Sequence, residues 1–185
     1  MWFKVPASAT HNLMVNYTDL INGLSAEVPF VGPESQERSL GFRFKARLGA
    51  NESIFGPSEK AVAAMREMLI AGIWKYGDPE NFELKNAIAL RMNSSTENIV
   101  VGEGIDALLG YLVRLIVEPG VKVVSSHGAY PTFNYHVSGF GGTLHFVKYK
   151  NDFEDVERLL AETKRKKASI VYLANPDNPM GTFHT

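Results

Sequence analysis

The 185-residue chain contains no cysteine, which excludes disulfides, thiolate metal ligands and cysteine nucleophiles. It also lacks a charge excess of either sign. Its 19 Lys and Arg stand against 20 Asp and Glu, so nothing in the balance calls for nucleic acid or an anionic membrane as partner. No apolar run approaches the ~20 residues of a spanning helix. The opening MWFKVPASATHNL lacks the apolar centre of a signal peptide, so the expected location is the cytoplasm. Without a secretion signal, the Asn-x-Ser/Thr sequons at Asn16, Asn51 and Asn93 read as chance matches. The histidines (His11, His127, His136, His145, His184) have no histidine or carboxylate at helical metal spacing, so no metal site is expected. No G-x-S-x-G elbow occurs, which argues against a serine hydrolase.

What is present divides in two. Residues 1–55 read as an extended arm punctuated by Pro29, Gly32, Pro33, Gly41 and Gly49, with a short helix near 17–24. Residues 56–185 alternate between helical and strand patterns. SEKAVAAMREMLIAG puts Val62, Met65, Leu69 and Ile73 on one helical stripe ending at Gly72. A second helix is expected from Asp78 as N-cap, with Pro79 in its first turn. NIVVG (98–102) reads as a buried strand, and residues 105–116 as a core-facing helix ended by Glu118-Pro119-Gly120. Strands are then expected at 121–126, 143–149 and 169–174, with helices from Pro131 to Ser138 and over DFEDVERLLAETKRKK. Such alternation implies an α/β fold with a mainly parallel sheet, whose ligand crevice lies at the carboxyl ends of the strands.

Three stretches at those ends depart from plain core-and-surface patterning. VVGEGIDALL carries glycines between a strand and a helix, an arrangement that aims main-chain N–H groups at an anion. It also satisfies G-x-G-x-x-A through Gly102, Gly104 and Ala107. A dinucleotide site would want a carboxylate at the end of the next strand, where Ser125, Ser126 and His127 stand instead. Phosphate binding is therefore favoured over NAD, with a glycine-softened turn and no ligand as the plain alternative. SHGAYPTFNYH is rich in aromatics; one could stack on a flat ligand, while Phe133 and Tyr135 are expected to pack under the loop. In NPDNPMG, Pro176 and Pro179 restrict Asn175 and Asn178 to extended conformations and so fix the direction of two amides. The run Lys164-Arg165-Lys166-Lys167 closes a helix and needs no nucleic-acid partner.

Four motifs, in order and over residues 45–185, resemble the pyridoxal-phosphate aminotransferases of fold type I, and within them the histidinol-phosphate aminotransferase-like group. LGANESIFGPS (48–58) is similar to the group's L-x-x-N-E-N-P-x-G-P-S segment, with Ser53-Ile54 in place of its Asn-Pro. KYGDPEN resembles its Tyr-Pro-Asp-Pro element, with Gly77 in place of proline. ENIVVGEGIDALL resembles its E-N-I-x-x-G-x-G-S-D-E segment, and ANPDNPMGT its N-P-x-N-P-T-G loop.

The resemblance implies pyridoxal 5'-phosphate as cofactor and transamination between an amino donor and a 2-oxo acid acceptor. Decarboxylation of a phosphorylated amino acid and a non-catalytic remnant stay open beside it, and a dinucleotide binder is the outside reading. It implies that main-chain amides at Ile105, Asp106 and Ala107 hold the cofactor phosphate, that Tyr130 stacks on the ring, and that Asn178 hydrogen-bonds its phenolic oxygen. Tyr76 would reach the phosphate of a partner subunit in a homodimer, and Asn51 would lie on the substrate side. The family's Schiff-base lysine, its ring aspartate and its arginines follow the N-P-x-N-P-x-G loop. The chain is therefore expected to carry no catalytic residue itself, as the N-terminal portion of such an enzyme: an arm over 1–55 that belongs to the small domain and an incomplete large domain over 56–185. In isolation it is expected to be marginal, because the strand at 169–174 would leave an open edge.

Overall fold

The structure is a computed structural model that describes residues 16–24, 30–49 and 52–185; Asn51 lies outside the described residues. The chain forms two compact units. A helical unit comprises Val28–Leu115 and Pro131–Phe133; a sheet unit comprises Met1–Glu27, Ile116–Tyr130 and Asn134–Thr185.

In the helical unit, helix α2 (Pro33–Leu40) follows the short α1 (Asp19–Asn22) of the sheet unit. Its pattern is polar, so apolar periodicity does not disclose it. Its end signals do: Pro33 sits in the first turn, and Gly41 closes it at φ 75°. Helix α3 (Glu59–Ala71) begins after Ser58 and ends where expected, with the Gly72 N–H donating to Met68. Of its predicted stripe, Val62 is half-buried, whereas Met65, Leu69 and the following Ile73 are exposed.

Helix α4 (Phe82–Met92) starts one turn later than the sequence suggests, because Asn81 adopts a left-handed conformation at φ 52°. Asp78 still acts as the cap of this entry: its carboxylate accepts from the N–H groups of Glu80 (3.0 Å) and Phe82 (2.8 Å). Those two main-chain donors hold the carboxyl below its usual range. The expected strand at 98–102 is not formed. Thr96–Asn98 make a 3₁₀ turn, and Ile99 is extended (φ −121°, ψ 122°) but pairs with no strand among the described residues. Helix α5 (Gly104–Ile116) follows, with Leu109 and Val113 buried.

The sheet unit is built on three parallel strands, β1 (Lys122–Ser126), β2 (Thr143–Val147) and β3 (Ile170–Val171), in the order β2-β1-β3. Connections run through α6 (Pro131–Gly139), whose first turn belongs to the helical unit, and through α7 (Val156–Lys166). The ladder between β1 and β2 pairs Lys122 with Thr143 and Ser126 with Val147, and continues in a 2.7 Å bond from the His127 N–H to Val147. Strand β3 is shorter than predicted, although the Ser169 and Tyr172 N–H groups extend its ladder to Lys122 and Val124. Alternation along β1 sends Val124 and Ser126 to one face, where Val124, Val147 and Leu159 of α7 form a buried cluster with Ala168 against it. The backbone is tight where β2 begins: a Cβ at Gly142 would stand 2.6 Å from Val117 Cγ1 and 2.8 Å from Val137 Cγ1.

Candidate functional site

The carboxyl ends of β1 and β3 are neighbours in a parallel pair, so the segments that follow them leave the same edge of the sheet. After β1 the chain turns at Gly128 (φ 107°), and the Ala129 N–H donates back to Ser126. Tyr130 then stands half-buried as the residue before α6, with Pro131 in the first helical turn. The aromatics beyond it divide. Phe133 is fully buried, as expected of a packing residue, whereas Tyr135 is 42% exposed and does not pack under the loop. His127 meets Phe146 edge-on at 5.7 Å.

After β3 comes the NPDNPMGT loop. Both of its Asn-Pro bonds, Asn175-Pro176 and Asn178-Pro179, are cis. The loop closes on itself through the Asp177 N–H to Thr182 O (2.7 Å) and the Gly181 N–H to Asp177 O (2.9 Å). The two asparagines that look equivalent in sequence have different tasks. Asn175 spends its whole amide on one residue: Nδ2 donates to His184 O and Oδ1 accepts from the His184 N–H, each at 2.9 Å. Asn178 is exposed, and among the described residues no hydrogen bond engages its amide. Asn175 therefore shapes the loop, and Asn178 is available to a ligand.

In the helical unit, Gly104 turns the chain into α5 at φ 76°. Gly102 lies flat against that helix, since a Cβ there would stand 3.1 Å from Leu108 Cδ2 and 3.2 Å from Tyr111 Cε2. The Tyr111 hydroxyl donates to Glu103 (3.1 Å), and the carboxylate raises the tyrosine's pKa. This fixes the G-E-G turn on α5, whose first turn holds Ile105, Asp106 and Ala107. First-turn N–H groups have no acceptor one turn earlier, and with the positive helix end they suit an anion. Tyr76, in the same unit, is fully exposed.

The sequence reading missed a buried polar group beneath the loop. Ser126, Glu154 and Asp177 are 0, 2 and 6% exposed. The Ala174 N–H donates to Glu154 Oε2 (3.0 Å), while Glu154 Oε1, Ser126 Oγ, Tyr149 Oη and both Asp177 carboxyl oxygens have no hydrogen-bond partner. Burial, ahead of every other cause, pushes the Glu154 carboxyl up. Burial and the nearby Asp177 push the Tyr149 hydroxyl up as well. Among the described residues no helix is long and apolar enough to cross a membrane, and no group of three or more His, Asp or Glu could hold a metal ion.

Comparison with known proteins then settles the family. The sequence model for aminotransferase class I and II matches residues 45–185. The chain belongs to that family. Among curated relatives, the histidinol-phosphate aminotransferase of Anaeromyxobacter sp. is 34% identical over 165 residues, which is 89% of this chain and 45% of that protein. Histidinol-phosphate aminotransferase 2 of Carboxydothermus hydrogenoformans is 31% identical over the same shares. The crystal structure of the Sinorhizobium meliloti histidinol-phosphate aminotransferase, in complex with pyridoxal-5'-phosphate, superposes with a TM-score of 0.82 at 54% identity. That match covers 88% of this aminotransferase-family chain and 43% of the neighbour. The chain thus spans about half the length of the proteins it resembles, and its α/β architecture is that of fold type I.

Proposed function

We propose that this chain is the cofactor-holding part of a pyridoxal-phosphate-dependent aminotransferase acting on an amino acid or an amino-alcohol phosphate such as histidinol phosphate. The observation that carries this reading is the 54% identity, over 88% of the chain, to an aminotransferase crystallised with that cofactor. The residues present fit the group. A phosphate dianion suits the first-turn N–H groups of Ile105, Asp106 and Ala107, which the positive-φ turn at Gly104 leaves open. A phenolic oxygen on the ring suits the unengaged amide of Asn178, and a flat ring suits Tyr130 at the head of α6. When bound, pyridoxal phosphate supplies a carbonyl carbon that takes up the amino group and a ring that draws electrons from the substrate Cα.

The chain's own contribution is placement: main chain for the phosphate, Tyr130 for the ring face, and Asn178 for the ring oxygen. Asn178 also donates a proton-bearing amide to that oxygen, favouring its negative form. Tyr76, exposed in full, is assigned to the phosphate of a second subunit in a homodimer, and Asn51 to the substrate side. The division into an arm over 1–55 and a large-domain segment over 56–185 belongs to the same proposal, as do the amino donor and 2-oxo acid acceptor.

Titration of the chain with pyridoxal phosphate, followed by tryptophan fluorescence and cofactor absorbance, tests the reading. Saturable binding near one per chain is expected, weakened by inorganic phosphate and stronger than that of pyridoxal without its phosphate. Equal affinity for the two vitamers would sink the assignment of α5.

A further inference from the structure

We propose that Glu154 is a positioning residue for the Asn178 loop and that it works as a neutral carboxylic acid, bridging the end of β1 to the end of β3. The inference deepens the cofactor reading, since what Glu154 positions is the loop that carries Asn178. Glu154 precedes α7 and is almost wholly buried. One of its oxygens accepts from the Ala174 N–H, the main-chain group just before the loop. Facing it are the Ser126 hydroxyl from β1, the Asp177 carboxyl from within the loop, and His184 from the segment that Asn175 clamps. Tyr149, beyond β2, and Tyr172, beyond β3, lie about Asp177 and each other.

A count of donors and acceptors shows why a proton is needed. Three carboxyl oxygens in the group lack a donor: Glu154 Oε1 and both oxygens of Asp177. Two hydroxyls face them, Ser126 toward Glu154 and Tyr149 toward Asp177. Each hydroxyl offers one hydrogen, so with both carboxyls ionised one buried oxygen stays unsatisfied. No lysine or arginine is among the groups that face Glu154, and two adjacent buried carboxylates repel each other. A proton on Glu154 Oε1 removes one charge and turns an acceptor into a donor. Ser125 does not alter the count, because alternation along β1 sends it to the opposite face. The burial that raises the Glu154 pKa acts in the same direction.

Gln is the neutral isostere of a protonated glutamic acid, and leucine has the bulk without the acceptor, so the pair separates this proposal from simple packing. Glu154→Gln should keep the Ala174 N–H protected from hydrogen exchange and keep pyridoxal-phosphate affinity within about twofold. Glu154→Leu should lose that protection and weaken binding roughly tenfold, as expected when a buried donor is orphaned. The native state holds the proton to higher pH than the unfolded chain does. Wild-type stability should therefore fall, relative to E154Q, as pH rises from glutamate's ordinary value of 4.5 through the raised value. In that window the infrared spectrum should show a protonated-carboxyl stretch that E154Q lacks.

A glutamine variant as damaging as the leucine one overturns the proposal, as does a wild-type spectrum without that band. If the wild-type chain binds no pyridoxal phosphate, the cofactor reading fails. The exchange and infrared measurements still decide this one.

Discussion

The sheet unit and the helical unit treat apolar side chains differently. In the sheet unit Val123, Val124, Val137 and Leu159 are at most 1% exposed, and a parallel ladder fixes the register of what they pack on. In the helical unit α3 and its neighbours keep Ile70 at 88%, Trp74 at 78% and Leu90 at 87% exposed. Both units have well-formed helices. The difference teaches that local signals such as Ser58 and Gly72 suffice to start and stop a helix, while an apolar stripe only states what that helix is able to pack on. Exposed apolar area on this scale belongs to surfaces that another part of the protein or another subunit covers.

The sharpest way to break this contrast is to truncate one residue in each unit. Leu159→Ala should cost about 2–4 kcal/mol in urea melts, whereas Ile70→Ala should stay within about 0.5 kcal/mol. Equal losses would mean that the α3 face is covered in solution. Gly142→Ala comes next: its Cβ has no room between Val117 and Val137, and a loss of about 1–3 kcal/mol is expected in thermal melts. The third test stays within the sheet unit and sets the two loop asparagines against each other. Asn175→Ala should lower stability by about 1 kcal/mol through the lost clamp on His184. Asn178→Ala should leave the melt unchanged and weaken pyridoxal-phosphate binding by roughly tenfold. If both variants behave alike, the division of labour is wrong.

The smallest effect is expected at the entry to α4. Asp78 has a lowered pKa, so its contribution is present above the ordinary aspartate value of 3.8 and is lost as pH falls through the lowered one. Asp78→Asn should therefore cost a little stability at neutral pH and nothing at strongly acid pH, a difference that paired melts would show.

How much of this was legible in advance follows from the range of the forces involved. Helices α3, α5 and α7 and strand β1 announce themselves, because their periodicity and their end signals agree within a few residues. Helix α2 lacks an apolar period, so only Pro33 and Gly41 mark it. The strand expected at 98–102 shows the converse. Its composition suits a sheet, but a strand exists only with a partner, and the ladder holds β1, β2 and β3 without it. The phosphate turn, Tyr130 and the N-P-x-N-P loop could be picked out because glycine, aromatic and proline spacing is local. The roles of Asn175 and Asn178 could not be separated, since what divides them is a main-chain pair contributed by His184. Glu154 was invisible for a related reason. In the run NDFED it reads as a solvated acid, and only the meeting of β1, β3 and the loop removes it from water.

The strand order carries a consequence for how the protein is made. Strand β1 leaves the ribosome first and ends in the middle of the sheet, between β2 and β3. Until Thr143–Val147 has emerged, both of its rows of N–H and C=O groups are open; until Ile170–Val171 follows, one still is. During synthesis the most apolar strand is thus a template without its intended copies, able to pair with the wrong chain. The yield of correctly folded protein should depend on how quickly the stretch from β1 to β3 is translated, and on how crowded the neighbouring nascent chains are while it waits.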